Sequence, residues 1–456
     1  MKELIHKLKP TQVLILGFAF LVFLGAVLLD LPMASQNGKS VGFINALFTS
    51  TSAVCVTGLV VVNTLNQWTM FGKIIIIILI QIGGLGFMTL TAILFILMGK
   101  KIGLRERLII QESLNQSGIA GLVRLTKKIC VGTLIVEGLG ALLLTIFFIP
   151  IYGWGKGAAY GVFHAISAFC NAGFDIIGEN SLAPFVKHWP INLVLILLIV
   201  GGGLGFGVWF DMIQTTKEWF QRKQSNRSWF RRLELHSKLV LTITAILLAI
   251  GFVFFYLLER KNPATMMYMT TFQRFWAALF QSVTLRTAGF FTVDFSDMTQ
   301  GSQFVSILLM FIGGSPAGTA GGIKTVTVGV LILQVLTTIR GKQEVEIFER
   351  HIPERVIKRA LSVIMIGLAV VMAVSLVLTV TEDADFMKIA FETVSAFGTA
   401  GVSLGFTSSL SVWGKLIISV TMFIGRLGPV TIAFAMAMRG DKVGKIKTPE
   451  GKIMVG

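Results

Sequence analysis

The hydrophobic positions of this 456-residue chain form long apolar runs that come in pairs. Each run is long enough to cross the hydrocarbon layer of a bilayer as a helix, which takes about 20 apolar residues. The eight runs are Val13–Leu29, Ile74–Met98, Ile129–Ile151, Ile191–Phe210, Leu239–Leu258, Phe304–Ile339, Leu361–Thr381 and Leu416–Met438. The pattern predicts an all-α integral membrane protein with eight spanning helices.

A shorter, half-apolar stretch lies between the two members of each pair. These stretches are Phe43–Thr57, Gly161–Ala172, Phe272–Ala288 and Phe386–Ala400. They are too short to cross the bilayer twice and too apolar for open loops. We therefore predict four re-entrant pore helices, each followed by a loop.

The loops after these stretches resemble one another. They read Val-Thr-Gly-Leu at 56–59, Asn-Ala-Gly-Phe at 171–174, Thr-Ala-Gly-Phe at 287–290 and Thr-Ala-Gly-Val at 399–402. A glycine motif then follows each loop, at 82–87, 202–206, 312–316 and 424–429. Two motifs that recur together at one period predict tandem repeats of helix, pore loop and helix.

The predicted repeats are residues 1–120, 121–232, 233–350 and 351–456, the last of which ends in a short basic tail. Two spans per repeat give all four repeats the same direction in the membrane. We expect a pseudo-fourfold arrangement around one central pore.

Charge changes this picture in one respect, which is orientation. The net charge of +17 suggests nucleic acid, but Lys and Arg fall in four tracts: three lie between the apolar pairs, near 100–128, 217–232 and 340–358, and one follows the last pair, near 439–447. That is the positive-inside pattern, so we expect no nucleic acid and place both termini in the cytoplasm. The first apolar run follows a basic N-terminus without a small-residue cleavage site, so it is predicted to span and not to be a signal peptide.

Acidic residues lie on the opposite side. They are Asp30, Asp175, Glu179, Asp294, Asp297, Glu382, Asp383 and Asp385. The glycine loops are therefore predicted to open outward under a mildly acidic vestibule that concentrates cations.

Glycine allows a loop to aim its backbone carbonyls inward, and a ring of carbonyls can replace the water of a cation. For a single loop, small residues that simply pack closely are an equally good interpretation. Four copies at one period favour an ion site. The residues predicted to form it are Thr57, Gly58, Ala172, Gly173, Ala288, Gly289, Ala400 and Gly401.

These motifs, with Arg-Thr-Ala-Gly-Phe at 286–290 the sharpest, resemble the Trk/Ktr/HKT superfamily of potassium transporters, closest to the bacterial Ktr-type membrane subunit. The resemblance implies that the four glycines are the selectivity filter, which holds K⁺ and no other metal. It implies K⁺ preference, because sodium-preferring plant relatives carry Ser where this chain has Gly58. It also implies a homodimer in a bacterial plasma membrane, with a separate cytoplasmic nucleotide-binding ring as regulator. Activation by Na⁺ is left open, and this chain is expected to bind no nucleotide.

The second apolar run of the third repeat is interrupted by a segment too glycine-rich for a continuous helix. A packing kink is the alternative, and a phosphate loop is excluded because Ile323 stands where that motif needs Gly. The resemblance implies a gate beneath the filter, together with an arginine inside the last spanning run. The gate residues are Gly313, Gly314, Ser315, Pro316, Ala317, Gly318, Thr319, Ala320, Gly321, Gly322, Lys324 and Arg426.

Four other polar residues fall in apolar segments. For Glu137, a structural bridge between helices and a role in ion binding are equally good interpretations. His164 and Glu392 are predicted to support the loops by hydrogen bonds, and the role of Gln81 is left open. The chain shows no catalytic constellation, so we expect no enzyme. The alternatives to a pore are a sodium- or proton-coupled carrier built from inverted repeats and a non-transporting scaffold; the even number of spans per repeat argues against inversion.

Overall fold

The computed structural model describes residues 10–86, 89, 103–113, 121–178, 180–221, 228–428 and 431. The ends of the runs predicted at 74–98 and 416–438, Glu179, the basic tail and part of the basic tracts lie outside these residues. In the first quarter of the chain the helices are α1 (Pro10–Asp30), α2 (Phe43–Cys55), α3 (Thr64–Gln67), α4 (Met70–Leu85) and α5 (Leu104–Ser113). The second quarter contains α6 (Leu122–Tyr152), α7 (Trp154–Phe169), α8 (Trp189–Gly203), α9 (Phe206–Gln221) and α10 (Trp229–Arg232).

The third quarter contains α11 (Leu235–Glu259), α12 (Thr271–Thr284), α13 (Gln300–Phe311) and α14 (Thr325–Ile339). A two-stranded antiparallel hairpin follows, with β1 (Glu346–Ile347) paired to β2 (Arg350–His351). The last quarter contains α15 (Glu354–Thr381), α16 (Phe386–Gly398) and α17 (Val412–Leu427).

Four of these helices, α1, α6, α11 and α15, are long and apolar enough to cross a membrane. Their outer faces leave large apolar side chains exposed, such as Leu134 at 63% and Leu376 at 68%, which suits contact with lipid. In the described part of the chain the bent pair α8 and α9 makes a fifth span if it is counted as one. The chain is thus a mostly helical membrane protein.

Helices α2, α7, α12 and α16, which overlap the four stretches predicted as pore helices, are linked in a closed order. Within a quarter, α4 packs on α2, α8 on α7 and α17 on α16. Between quarters, the helix after each pore loop packs on the next pore helix: α4 on α7, α8 on α12 and α13 on α16. The last helix, α17, returns to α2 and closes the circle.

The prediction of one spanning helix at Ile191–Phe210 is wrong. The run is divided into α8 and α9, which meet at an angle of 101°. Gly205, between them, has a φ of +90°, which a helix does not allow. The backbone N–H of Phe206 donates to the carbonyl of Ala317 (3.0 Å), so a contact from the third quarter replaces the helical bond.

The predicted break in the third quarter is confirmed. Helix α13 ends at Phe311 and α14 begins at Thr325, with Gly313–Gly322 between them in non-helical backbone. Ile312 and Ile323 form a parallel bridge at the base of this segment. We call residues 313–322 the inner loop.

Candidate functional site

The four glycine loops share one backbone conformation. In each loop the residue two positions before the glycine is left-handed: Val56, Asn171, Thr287 and Thr399 have φ between 51° and 67°. A positive φ is uncommon for residues other than glycine, and for the β-branched Val and Thr it is an outlier. The glycines themselves have φ values of 95°, 69°, 83° and 82° in chain order. The same rare turn therefore recurs at the same place in all four loops.

The four glycines, Gly58, Gly173, Gly289 and Gly401, are in mutual contact and leave no room for a side chain. A Cβ on Gly58 would lie 3.1 Å from the Cα of Gly173, and one on Gly173 would lie 2.6 Å from the Cα of Gly289. A Cβ on Gly401 would lie 3.0 Å from the Cα atoms of both Gly289 and Gly58. The loops thus form a ring that closes from the fourth back to the first.

The carbonyl oxygens before the glycines follow the same circle. A Cβ on Gly58 would meet the oxygen of Ala172 at 2.6 Å, one on Gly173 the oxygen of Ala288 at 2.8 Å, and one on Gly289 the oxygen of Ala400 at 3.3 Å. A Cβ on Gly401 would clash with the oxygen of Thr57. Each of these four oxygens therefore lies against the glycine of a neighbouring loop, and clustered carbonyl oxygens can replace the water around a cation.

Polar side chains brace the loops from behind. Ser52 Oγ accepts the N–H of Gly58 (3.0 Å), and Ser167 Oγ donates to the carbonyl of Phe174 (2.8 Å). Glu392, fully buried, accepts hydrogen bonds from Ser403 Oγ and Thr407 Oγ1, both at 2.6 Å. These bonds fix the loops relative to their pore helices, as predicted for Glu392.

His164 and Glu137 also have protein partners. The Nδ1 of His164 lies 2.7 Å from the carbonyl of Tyr160. Gln81 Nε2 donates to Glu137 Oε2 (3.1 Å), and Cys170 Sγ lies 3.7 Å from Glu137 Oε1. Glu137 thereby joins α4, α6 and the end of α7, which favours the interpretation as a bridge between helices.

The ring opens on one side into a cavity of about 420 Å³, which we call the mouth cavity. All four glycines line it, and among the predicted acids so do Asp175 and Asp294. Another predicted acid, Glu382, instead accepts the N–H of Ser411 at the start of α17 (3.0 Å). Burial raises the pKa of the Asp175 carboxyl to about 6, although a hydrogen bond from Ser181 acts in the opposite direction.

The inner loop is attached to the end of α8 and to the second glycine loop. The N–H groups of Ser315 and Thr319 donate to the carbonyls of Gly203 (2.9 Å) and Gly202 (3.1 Å). The hydroxyl of Thr319 lies within hydrogen-bond distance of two acceptors, Phe169 O (3.0 Å) and Asn171 Oδ1 (2.9 Å), and can donate its one proton to either. The loop is thus held directly against the ring of glycines.

Two arginines hold the inner loop from other sides. Arg426 donates to the carbonyls of Thr319, Gly83 and Gly84, and so ties the loop to the end of α4. Arg286 donates to the carbonyls of Ile312 (2.6 Å) and Gly313 (2.5 Å) at the start of the loop. Sequence reasoning noted Arg286 only as part of a motif; its charge inside an apolar loop was the signal that could have identified this role.

The inner loop also lines a second cavity of about 730 Å³, which we call the inner cavity. Four basic side chains line it: Lys324, Arg355, Arg359 and Arg426. Lys324 Nζ donates to the carbonyl of Ala320 (2.6 Å). On its other side the loop touches the ring, since a Cβ on Gly321 would lie 2.9 Å from Thr399 Cγ2. The loop therefore lies between the ring and the inner cavity.

Comparison with known proteins gives a consistent answer. The TrkH family, described as "Cation transport protein", matches residues 14–446. The chain is 43% identical over 447 residues to the "Ktr system potassium uptake protein B" of Bacillus subtilis, covering 98% of this chain and 97% of that protein. It is 39% identical over 462 residues to the "Potassium/sodium uptake protein NtpJ" of Enterococcus hirae, covering 100% and 99%.

A solved structure shares the fold. The potassium transporter TrkH from Vibrio parahaemolyticus superimposes with a TM-score of 0.73, covering 94% of this chain and 84% of that chain, at 19% sequence identity. The family consists of transport proteins, in agreement with the expectation that the chain is not an enzyme. On these grounds the chain belongs to the TrkH family of cation transport proteins.

Proposed function

We propose that the chain forms the potassium-conducting pore of an uptake system. The observation that carries this proposal is the closed ring of four loops with one shared backbone conformation and four carbonyl oxygens packed against its glycines. Relatives that match nearly the whole chain are named for potassium uptake, and one is named for both potassium and sodium. The four parts of the chain would then be the pseudo-fourfold repeats predicted from the sequence.

In this proposal the filter consists of Gly58, Gly173, Gly289 and Gly401 with the residues before them. K⁺ is the ion that such carbonyl rings accept when dehydrated. Buried hydroxyls of Thr57, Thr287 and Thr399 have no hydrogen-bond partner among the described residues. Because a buried polar atom normally has a partner, these oxygens are consistent with an ion path at the ring.

The inner loop and Arg426 would form the gate. The loop touches the ring on one side and lines the inner cavity on the other, so an ion that leaves the ring meets it. The basic side chains of the inner cavity oppose a cation in a region of low dielectric constant. Conduction therefore requires the loop and Arg426 to move.

We further infer that the mouth cavity faces outward and the basic tracts face the cytoplasm, as the positive-inside pattern predicts. The relative named as component B of a Ktr system supports a separate regulatory subunit, for which a cytoplasmic nucleotide-binding ring is the expected partner. A homodimer of this chain in a bacterial plasma membrane completes the proposed assembly. Activation by Na⁺ is to be tested in the same assay.

The test is Rb⁺ uptake at low external K⁺ in a bacterium that lacks its own potassium uptake, with and without the regulatory partner and with and without Na⁺. We expect uptake by the wild type. Gly289→Ser should abolish uptake or lower the ratio of Rb⁺ to Na⁺ uptake, because its neighbours leave no room for a side chain.

The matched control is Gly138→Ser. Gly138 lies in α6 with open space around its Cα, so a side chain there meets nothing. If both serine variants transport like the wild type, or if the wild type shows no uptake although it is present in the membrane, the pore proposal is wrong. Normal Rb⁺ uptake that is lost only on collapse of the Na⁺ or H⁺ gradient would favour a coupled carrier.

A further inference from the structure

A basic pocket lies at the start of α11, away from the glycine ring. It has a volume of about 730 Å³ and lies between the α10–α11 junction and the β1–β2 hairpin. Five basic side chains and two acidic ones, Glu218 and Glu234, line it. The basic side chains are Arg231, Arg232, Lys238, Arg350 and His351.

Four of the five basic side chains of this pocket form no ion pair within the described part of the chain. The ion pairs there are Lys358 with Glu354 and His351 with Glu344, and neither involves the three arginines or Lys238. The Nη2 of Arg232 is buried and has no hydrogen-bond acceptor among the described residues. A buried guanidinium N–H group normally has an acceptor, which an anion in the pocket would supply.

The pocket lies beside the first turn of α11, which is long and apolar enough to cross a membrane. Leu233 is buried in its wall, and Leu235 is the first residue of α11. Phe348, at the tip of the hairpin, packs on Phe230 with ring centroids 5.8 Å apart. Lys238 Nζ lies 5.9 Å from the centre of the Phe348 ring and donates to the carbonyl of Arg231 (2.9 Å). These contacts hold the hairpin against α10 and the first turn of α11.

We propose that this pocket binds a phosphate group, presented by an anionic phospholipid. Guanidinium groups form paired hydrogen bonds with phosphate oxygens, and three arginines line the pocket. Basic pockets beside spanning helices bind anionic headgroups, and this pocket lies at the first turn of a helix that is long and apolar enough to span. The proposal is independent of the proposed filter and gate.

The test is native mass spectrometry of the purified full chain titrated with dioleoyl phosphatidylglycerol or dioleoyl phosphatidylcholine. Three proteins are compared: the wild type, Arg231→Gln/Arg232→Gln, and the matched control Arg260→Gln/Lys261→Gln. The control removes two exposed cations at the other end of α11. At about 1 kcal/mol for each cation near an anionic surface, the pocket variant should bind phosphatidylglycerol roughly 30-fold more weakly than the wild type.

A parallel calorimetric titration with inorganic phosphate separates the two sources of the phosphate group. Loss of phosphatidylglycerol in the pocket variant alone supports the lipid. If the wild type binds inorganic phosphate but retains no phosphatidylglycerol, and only the pocket variant loses phosphate binding, the pocket is a phosphate site with a soluble source. The proposal is overturned if all three proteins bind phosphatidylglycerol equally and phosphate equally. It is also overturned if the pocket variant and the control variant lose binding of these ligands to the same extent. A thermal unfolding scan of each variant shows that it is folded.

Discussion

Substitution of Arg426 by Ala should open the proposed gate. Arg426 joins three segments, since it lies in the last turn of α17 and donates to the carbonyls of Thr319 in the inner loop and of Gly83 and Gly84 at the end of α4. Alanine removes all of these donors. The inner loop then loses its hydrogen bond to Arg426 and, through it, the link to α4.

The size of the effect follows from the bond to the inner loop. A hydrogen bond to a charged group contributes about 1.5–3 kcal/mol to the state that contains it. Each 1.4 kcal/mol is a factor of ten, so loss of the bond to Thr319 shifts the ratio of open to closed gates by roughly 10- to 150-fold. The maximal uptake rate should rise until the open state is fully populated. Removal of a positive charge beneath the ring acts in the same direction.

The assay is the initial rate of Rb⁺ uptake at saturating concentration, measured without the regulatory partner and normalised to the amount of protein in the membrane. Arg426→Lys separates the two effects, because it keeps the charge but loses the planar fork of donors. The control is Arg274→Ala, which removes an arginine that donates to two carbonyls, those of Met266 and Met267, far from the gate in sequence. A maximal rate for Arg426→Ala at or below that of the wild type, with a normal amount of protein in the membrane, would refute the clamp.

Two other predictions concern the gate and the mouth cavity. Thr319→Val keeps the shape of the side chain but removes the one donor that the Phe169 carbonyl and Asn171 Oδ1 share, which costs about 1–3 kcal/mol. Rb⁺ uptake should rise and the ratio of Rb⁺ to Na⁺ uptake should fall. An unchanged ratio would show that the inner loop does not influence the filter. Because the pKa of Asp175 is raised to about 6, its carboxylate is charged above pH 6 and neutral below it. The KM for K⁺ should therefore rise as external pH falls through 6. Asp175→Asn should have the higher KM above pH 6 and approach the KM of the wild type below it. If the rise in KM near pH 6 persists in Asp175→Asn, another group causes it.

The positions of the loops could be predicted because they depend on short-range chemistry. Glycine recurs at one period, and the residues before it are small, so both the loops and their contact were visible in the sequence. The break between α13 and α14 was also visible, because a run of glycines around Pro316 cannot remain helical in the bilayer.

The break between α8 and α9 could not be predicted in the same way. The apolar run continues through Gly205, and the bend depends on a hydrogen bond from Phe206 to Ala317, more than 100 residues later in the chain. The partners of Arg426 were hidden for a similar reason, since all are backbone carbonyls and carry no side-chain signal. Asn171 was quoted as part of a loop, yet its tolerance of left-handed backbone and its amide both suit the bridge that it forms.

The contacts of Thr319 imply that the gate cannot open as a free flap. Its N–H bonds the end of α8, its hydroxyl bonds the second glycine loop, and its carbonyl accepts from Arg426. Asn171 in turn donates to the carbonyl of Arg286 beside the third glycine loop (3.2 Å). With the bond from Ser315 to Gly203, an opening that broke these contacts of the inner loop would lose four hydrogen bonds. At about 1 kcal/mol for each of the three neutral bonds and about 1.5–3 kcal/mol for the bond to the charged Arg426, the loss is about 5 kcal/mol. A ligand needs about 5.5 kcal/mol of differential binding to move an equilibrium from 1:99 to 99:1. A regulator of ordinary affinity can therefore open this gate only if its differential binding supplies nearly all of this energy, or if part of the hydrogen-bond network survives the opening. If the Asn171 bridge survives, the filter is sensitive to the state of the gate.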